Sequence, residues 1–97
     1  MAICYNTRMK ILKFGAVWCA GCLVMKPRWR EIEAENPWLE TRYFEYDDSK
    51  EMVDKWHVGK NLPVFIFVDR NNNEITRLTG EPSKTDLLKK INRYKNE

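Results

Sequence analysis

Cysteines and long apolar runs are both scarce in this chain, and each scarcity removes a class of protein. Three cysteines in 97 residues are too few and too unevenly placed for a secreted disulfide scaffold. Cys19 and Cys22 are also too close in sequence to staple much of the chain. No apolar run approaches the length that crosses a bilayer, so no membrane partner is expected. Residues Met1 to Arg8 lack the apolar core of a signal peptide, which makes a reducing cytoplasm the expected location. Charge of one sign is missing too. Seventeen Lys and Arg face fourteen Asp and Glu, a net charge of +3, and the two kinds are interleaved. That pattern reads as solvated faces and not as a nucleic-acid footprint.

The rest is ordinary for a globular chain, with 43% hydrophobic residues, enough for one small domain over residues 1–97 with one core. Met9 to Phe14 reads as a buried strand, with residues 1–8 either an edge strand or a flexible segment. A helix follows Cys19 and runs to about Glu35, where Asn36-Pro37 stops it. Its inward face carries Cys22, Met25, Trp29 and Ile32 at helical spacing. Glu40 to Tyr46 alternates as a strand, and Asp47, Asp48 and Ser49 offer N-caps for a short helix burying Met52, Val53 and Trp56. Val64 to Val68 is an apolar run suited to a central strand. A turn at 69–73 and a return strand from Glu74 to Leu78 make a hairpin. Ser83 with Asp86 resembles a capping box for a last helix packing Leu87, Leu88 and Ile91. The predicted order is β-α-β-α-β-β-α. The first two strands are parallel across a helical connection. The class is α/β, with a four-stranded mixed sheet flanked by helices on both faces.

The chemistry concentrates where the first strand meets the first helix, at Trp18-Cys19-Ala20-Gly21-Cys22. A C-x-x-C in an intracellular chain beside a βαβ pattern reads as a redox dithiol. Cys19 falls at the helix N-terminus, where unpaired N–H groups and the macrodipole favour a thiolate. One helical turn brings the Cys22 sulfur within disulfide reach. Cys19, expected to be the accessible thiol, attacks a partner disulfide; Cys22, expected to face inward, resolves the mixed disulfide. Trp18 reads as a partly exposed apolar wall beside the sulfurs.

Trp18-Cys19-x-x-Cys22, with Pro27 five residues on, resembles the active site of the thioredoxin-like superfamily. Leu62-Pro63 ahead of Val64 is similar to the strand that this family opens with a cis-proline, and Gly80 matches a third family position. The resemblance covers roughly residues 9 to 95. It implies a trimmed thioredoxin-like fold, lacking most of an N-terminal strand–helix unit, and a first helix that continues through Pro27 with a kink. It implies a cis Pro63 lying against Cys19 and Cys22, with the Leu62 backbone free to pair with an extended substrate segment and Trp18, Leu62, Pro63 and Gly80 forming the substrate surface. It further implies an oxidoreductase acting on protein disulfides. Neither metal nor bound cofactor is needed beyond the Cys19–Cys22 pair, and electrons come from a thioredoxin reductase or a small thiol. A monomer is expected.

Departures from the family touch tuning. Six residues before Cys19, where thioredoxins place a buried Asp, stands Lys13. An ammonium there stabilises a thiolate instead of accepting a proton. Lys13 is expected to pair with Glu45 or to reach the surface. The residues between the cysteines are Ala20-Gly21 in place of the family's Gly-Pro, which leaves the direction of electron flow open. Two rival readings exist. Cys4 and His57 could complete a Cys₃His zinc site with Cys19 and Cys22, or the domain could be a non-catalytic thioredoxin-like binding module.

Overall fold

In this computed structural model residues 9–96 are described. The edge strand considered for 1–8, and Cys4 with it, lie outside the described residues. From there the order is β1 (Lys10–Gly15), α1 (Ala20–Glu35), β2 (Glu40–Glu45), a 3-10 turn at Tyr46–Asp48, α2 (Lys50–Lys55), β3 (Val64–Val68), β4 (Glu74–Thr79) and α3 (Lys84–Tyr94). The sheet order is β2-β1-β3-β4. β1 and β2 are parallel, while β3 is antiparallel to both β1 and β4.

The side-chain pattern of each strand decides which helix covers it. Ile11 of β1 and Phe65 and Phe67 of β3 point to one face, where Met25, Trp29 and Ile32 of α1 and Leu87 and Ile91 of α3 bury them. Leu12, Phe14, Val64, Ile66 and Val68 point to the other, where Val53 of α2 and Val58 close the core. Both faces of β3 are thus covered, which is why its five residues are all apolar and all buried. Pro27 lies inside α1 on an exposed position. It removes a single N–H there, and Met25, Trp29 and Ile32 hold the helix on either side of it.

Two junctions are fixed by local chemistry. Ser83 caps α3, accepting a hydrogen bond from the Asp86 N–H at 3.1 Å, half of the box expected there. His57 adopts a left-handed conformation, φ 53°, beyond the end of α2. The Val58 N–H reaches the Val53 carbonyl at 2.9 Å and the His57 N–H that of Asp54 at 3.3 Å, the pattern of a Schellman ending. Lys84 ties α3 to α1 through Glu31 at 3.2 Å and Glu35 at 2.8 Å.

The register sets the position of everything chemical. Phe14 stands opposite Val64 in the antiparallel β1–β3 pair. The loop leaving β1 and the segment entering β3 therefore meet at one end of the sheet. Phe67 is fully buried and packs edge-on against Tyr94 at 6.4 Å. Phe67→Ala is expected to cost about 3–5 kcal/mol, a large part of the stability of a domain this size. Ser83→Ala should cost about 1 kcal/mol. Urea midpoints measured for the two variants check that ranking.

Candidate active site

Cys19 follows a turn at the end of β1 that its own N–H closes on the Ala16 carbonyl at 3.1 Å. Its extended backbone, φ −98° and ψ 110°, makes it the N-cap of α1, and its Sγ accepts the Cys22 N–H at 3.2 Å. A sulfur in this position takes the place of a capping oxygen, so negative charge on it is favoured by a donated N–H and by the helix dipole. Cys19 and Cys22 are joined by a disulfide, their Cα atoms 5.3 Å apart.

Exposure does not divide the two thiols as expected. Cys19 is buried, at 7% exposure, while Cys22 is half-buried. The turn that closes on Ala16 draws Cys19 back toward the strand end and turns Val17 and Trp18 outward, to 81% and 53% exposure. Access therefore does not favour Cys19, and what singles out its sulfur is the capping hydrogen bond.

The loop is held by acidic side chains from the neighbouring strand and turn. Glu45 accepts the Val17 N–H at 2.9 Å on one oxygen and the Tyr43 hydroxyl at 2.8 Å on the other. The Trp18 indole N–H donates to Asp47 at 2.9 Å, with its ring edge-on to Tyr46. Trp18 is thereby fixed as a half-exposed wall at the mouth of the site.

Lys13 does not pair with Glu45, and its side chain keeps only 15% exposure. Its ammonium donates to Glu33 of α1 at 2.6 Å and lies 5.3 Å from the Trp29 ring centroid. Lys13 and Tyr43 are register partners on the face covered by α1. Glu33 reaches down from the helix above them and also accepts the Thr41 hydroxyl at 2.8 Å. Glu45 is already engaged by Val17 and Tyr43, so the lysine takes the helix carboxylate. A cavity of about 470 Å³ opens beside it, lined by Lys13, Cys22, Glu33, Tyr43, Glu45 and Pro63 among others.

From the opposing strand comes Pro63, buried, with a cis Leu62–Pro63 peptide bond. Its Cδ lies 3.2 Å from where a Cβ on Gly21 would stand, and the Glu81 carboxylate 2.9 Å from the same point. The Pro63 carbonyl accepts the Gly80 N–H at 3.0 Å, and Gly80 has φ 87°, a conformation that glycine takes without a Cβ penalty. Gly80 therefore holds Pro63 in place from behind. The Leu62 backbone is not wholly free, since its N–H donates to the Lys60 carbonyl at 2.9 Å.

Trp18, Cys19, Ala20, Gly21, Cys22 and Pro63 are thus brought to one end of the sheet, with Glu45 beneath the loop, Gly80 behind Pro63 and Lys13 across the cavity. Tyr43, Glu33, Asp47 and Glu81 belong to the same neighbourhood and were not singled out from the sequence. For Tyr43 a signal existed, because parallel pairing of the two strands places its side chain on the face of Lys13. Glu33 and Glu81 carry none, as both are reached through tertiary contact. Among the described residues no group of three His, Cys, Asp or Glu could hold a metal, so His57 does not join Cys19 and Cys22. The fourth member of the zinc set, Cys4, lies outside the described residues.

The family model described as Thioredoxin matches residues 3–92. The chain is 33% identical over 91 residues to Thioredoxin H7 of Arabidopsis thaliana, covering 93% of this chain and 67% of that one. It is 34% identical over 70 residues to Thioredoxin H5 of Oryza sativa subsp. japonica, covering 72% of this chain and 50% of the other. Among solved structures, Fasciola hepatica thioredoxin superposes with a TM-score of 0.84 at 28% identity, over 93% of this chain and 85% of that chain. The fold is a thioredoxin fold, and the chain belongs to the thioredoxin family. It spans between half and two thirds of the length of these two plant relatives.

Tyr43 is exposed over its ring, yet its hydroxyl end turns inward beside Gly15 and Glu45. Loss of solvent there, and then the hydrogen bond to Glu45 and the Glu45 charge, push its pKa up from 10.0 to about 12. The folded state thus holds this proton more tightly than the unfolded chain. Between those two values the unfolded state binds fewer protons, so stability falls as pH rises through the window. Tyr43→Phe is expected to flatten that decline, measured as denaturant midpoints between about pH 9 and about pH 12.

Proposed function

We propose that this chain is a thiol–disulfide oxidoreductase that reduces protein disulfides by dithiol–disulfide exchange, with residues 1–97 acting as one domain. Cys19 is the nucleophile. The observation that carries this is the Cys19 Sγ at the N-cap of α1 with the Cys22 N–H donated to it at 3.2 Å, an arrangement that lowers a thiol pKa. The Cys19 thiolate attacks one sulfur of the substrate disulfide, forming a mixed disulfide and expelling the other sulfur. Cys22 then attacks the Cys19 sulfur, which releases the reduced substrate and leaves the Cys19–Cys22 disulfide. A reductase or a small thiol returns two electrons to it.

The substrate approaches over Trp18 and Pro63, with Val17 and Leu23, both exposed, extending the apolar rim. An extended segment pairs with the Leu62 carbonyl, its N–H having the local partner Lys60. No bound cofactor takes part. A cytoplasmic site of action fits a dithiol that must be kept reduced, and no helix among the described residues is long and apolar enough to cross a membrane.

Equilibration in defined thiol/disulfide buffers tests the reading. A reversible two-electron couple at Cys19–Cys22 lying below the cytosolic glutathione poise is expected, each ~30 mV amounting to about 1.4 kcal/mol between the two states. Cys19→Ser should abolish turnover of a disulfide substrate, and Cys22→Ser should accumulate the mixed disulfide. Absence of any reversible couple would sink the reading; a couple above the glutathione poise would turn the direction to oxidation.

A further inference from the structure

Resolution of a mixed disulfide needs the Cys22 thiolate, and a half-buried thiol needs somewhere to send its proton. The charged groups around Cys22 narrow the choice. Lys13 is an ammonium with no lone pair to accept a proton, and it is held by Glu33 at 2.6 Å. Glu33 is committed to that ion pair and to the Thr41 hydroxyl at 2.8 Å, both on the same oxygen. Lys26 and Arg30 of α1 line the same cavity and are cations. Glu81 stands over Gly21, and Asp47 is held by the Trp18 indole.

Tyr43, with Glu45 behind it, is the oxygen-bearing group that shares the space at Gly15 with the Cys22 sulfur. Gly15 shows how close they come. A Cβ on Gly15 would stand 3.0 Å from the Tyr43 hydroxyl oxygen and 3.1 Å from Cys22 Sγ. The two atoms share the space that a side chain would fill, separated by no more than about twice that distance, which contact or a single water can span. The same hydroxyl donates to Glu45 Oε1 at 2.8 Å. Among the described residues the Glu45 carboxylate makes no ion pair, and its other oxygen accepts the Val17 N–H at 2.9 Å. Gly15, Cys22, Tyr43 and Glu45 all line the one cavity.

Building on the oxidoreductase reading, we propose that Tyr43 and Glu45 form the proton relay of the resolving thiol, made possible by the missing side chain at Gly15. The Cys22 S–H bond breaks and its proton passes to the Tyr43 oxygen, directly or through one water. The Tyr43 proton moves at once to Glu45, so a thiolate and a protonated carboxyl result. The thiolate attacks the Cys19 sulfur of the mixed disulfide. The Cys19–Cys22 bond forms and the bond to the substrate sulfur breaks. The departing sulfur carries the electron pair and takes a proton from solvent. Glu45 then returns its proton to solvent. The Tyr43 hydroxyl serves as a relay and never as a stored charge, in keeping with its raised pKa.

The test separates the two chemical steps. In a Cys4→Ser background the reduced chain is mixed with an aromatic disulfide whose thiol absorbs on release. A first phase reports attack by Cys19, and a second reports resolution by Cys22. Tyr43→Phe is expected to slow the second phase by about a hundredfold near neutral pH, the lower end of what a positioned acid–base group supplies. The loss should shrink as pH climbs past the free thiol pKa, and the first phase should be unchanged. Glu45→Gln should shift the second-phase pH profile in the same direction. Second-phase profiles that superimpose on the parent's in both variants overturn the relay and leave the oxidoreductase reading intact. A parent chain that releases only one equivalent overturns that reading, and the relay with it.

Discussion

The antiparallel pairing of β1 with β3, with Phe14 opposite Val64, is the constraint on which the site depends. One strand ends where the other begins. Whatever follows Gly15 must therefore meet whatever precedes Val64. The cysteine turn occupies the first position and the Leu62–Pro63 bond the second. A one-residue slip in register would send Phe14 to the face covered by α1 and Lys13 into the α2 core, since side chains alternate along a strand. The burial of Leu12, Phe14, Val64 and Ile66 on one face and of Ile11, Phe65 and Phe67 on the other excludes that slip. Hydrophobic packing thus places the sulfurs without touching them.

A second level of organisation is electrostatic and lies on the β1–β2 edge. Because β1 and β2 run parallel and in register from Lys10 and Glu40, Lys13, Gly15, Tyr43 and Glu45 fall on one face. That face meets Glu33 and Cys22 of α1 across a cavity. Carboxylates at two ends of the cavity do different work. Glu33 pairs with the lysine that the strand carries inward, which offsets part of the desolvation cost of a partly buried ammonium. Glu45 supports the loop through Val17. Were both carboxylates drawn to Lys13, the loop bearing Trp18 and Cys19 would lose its tie to β2.

Legibility in the sequence follows the range of the interactions. Local patterns read well. The period of α1, the apolar run of β3, the cap at Ser83 and the C-x-x-C junction are each set by residues within one or two turns of one another. The alternation of β1 and β2 also reads, and with it the sheet. What did not read depends on geometry between elements. The partner of Lys13 is Glu33, 20 residues away, and reaches it only because α1 crosses over that strand. The burial of Cys19 comes from a turn closing on Ala16, whose tightness no spacing reveals. The Leu62 N–H finds Lys60 for the same kind of reason.

Gly15 joins these levels. In sequence it is a small residue at the end of an apolar strand, and nothing in its neighbours marks it. In the fold it is buried, and its absent Cβ is the space into which the Tyr43 hydroxyl and the Cys22 sulfur both lean. A Cβ there would stand 3.0 Å from one and 3.1 Å from the other, so either Tyr43 or the helix carrying Cys22 would have to give way. Displacing α1 would disturb Met25 and Trp29 in the core, whereas displacing Tyr43 disturbs an exposed ring. The softer response is a shift of the Tyr43 hydroxyl, so this one position bears directly on the relay proposed for the resolving thiol.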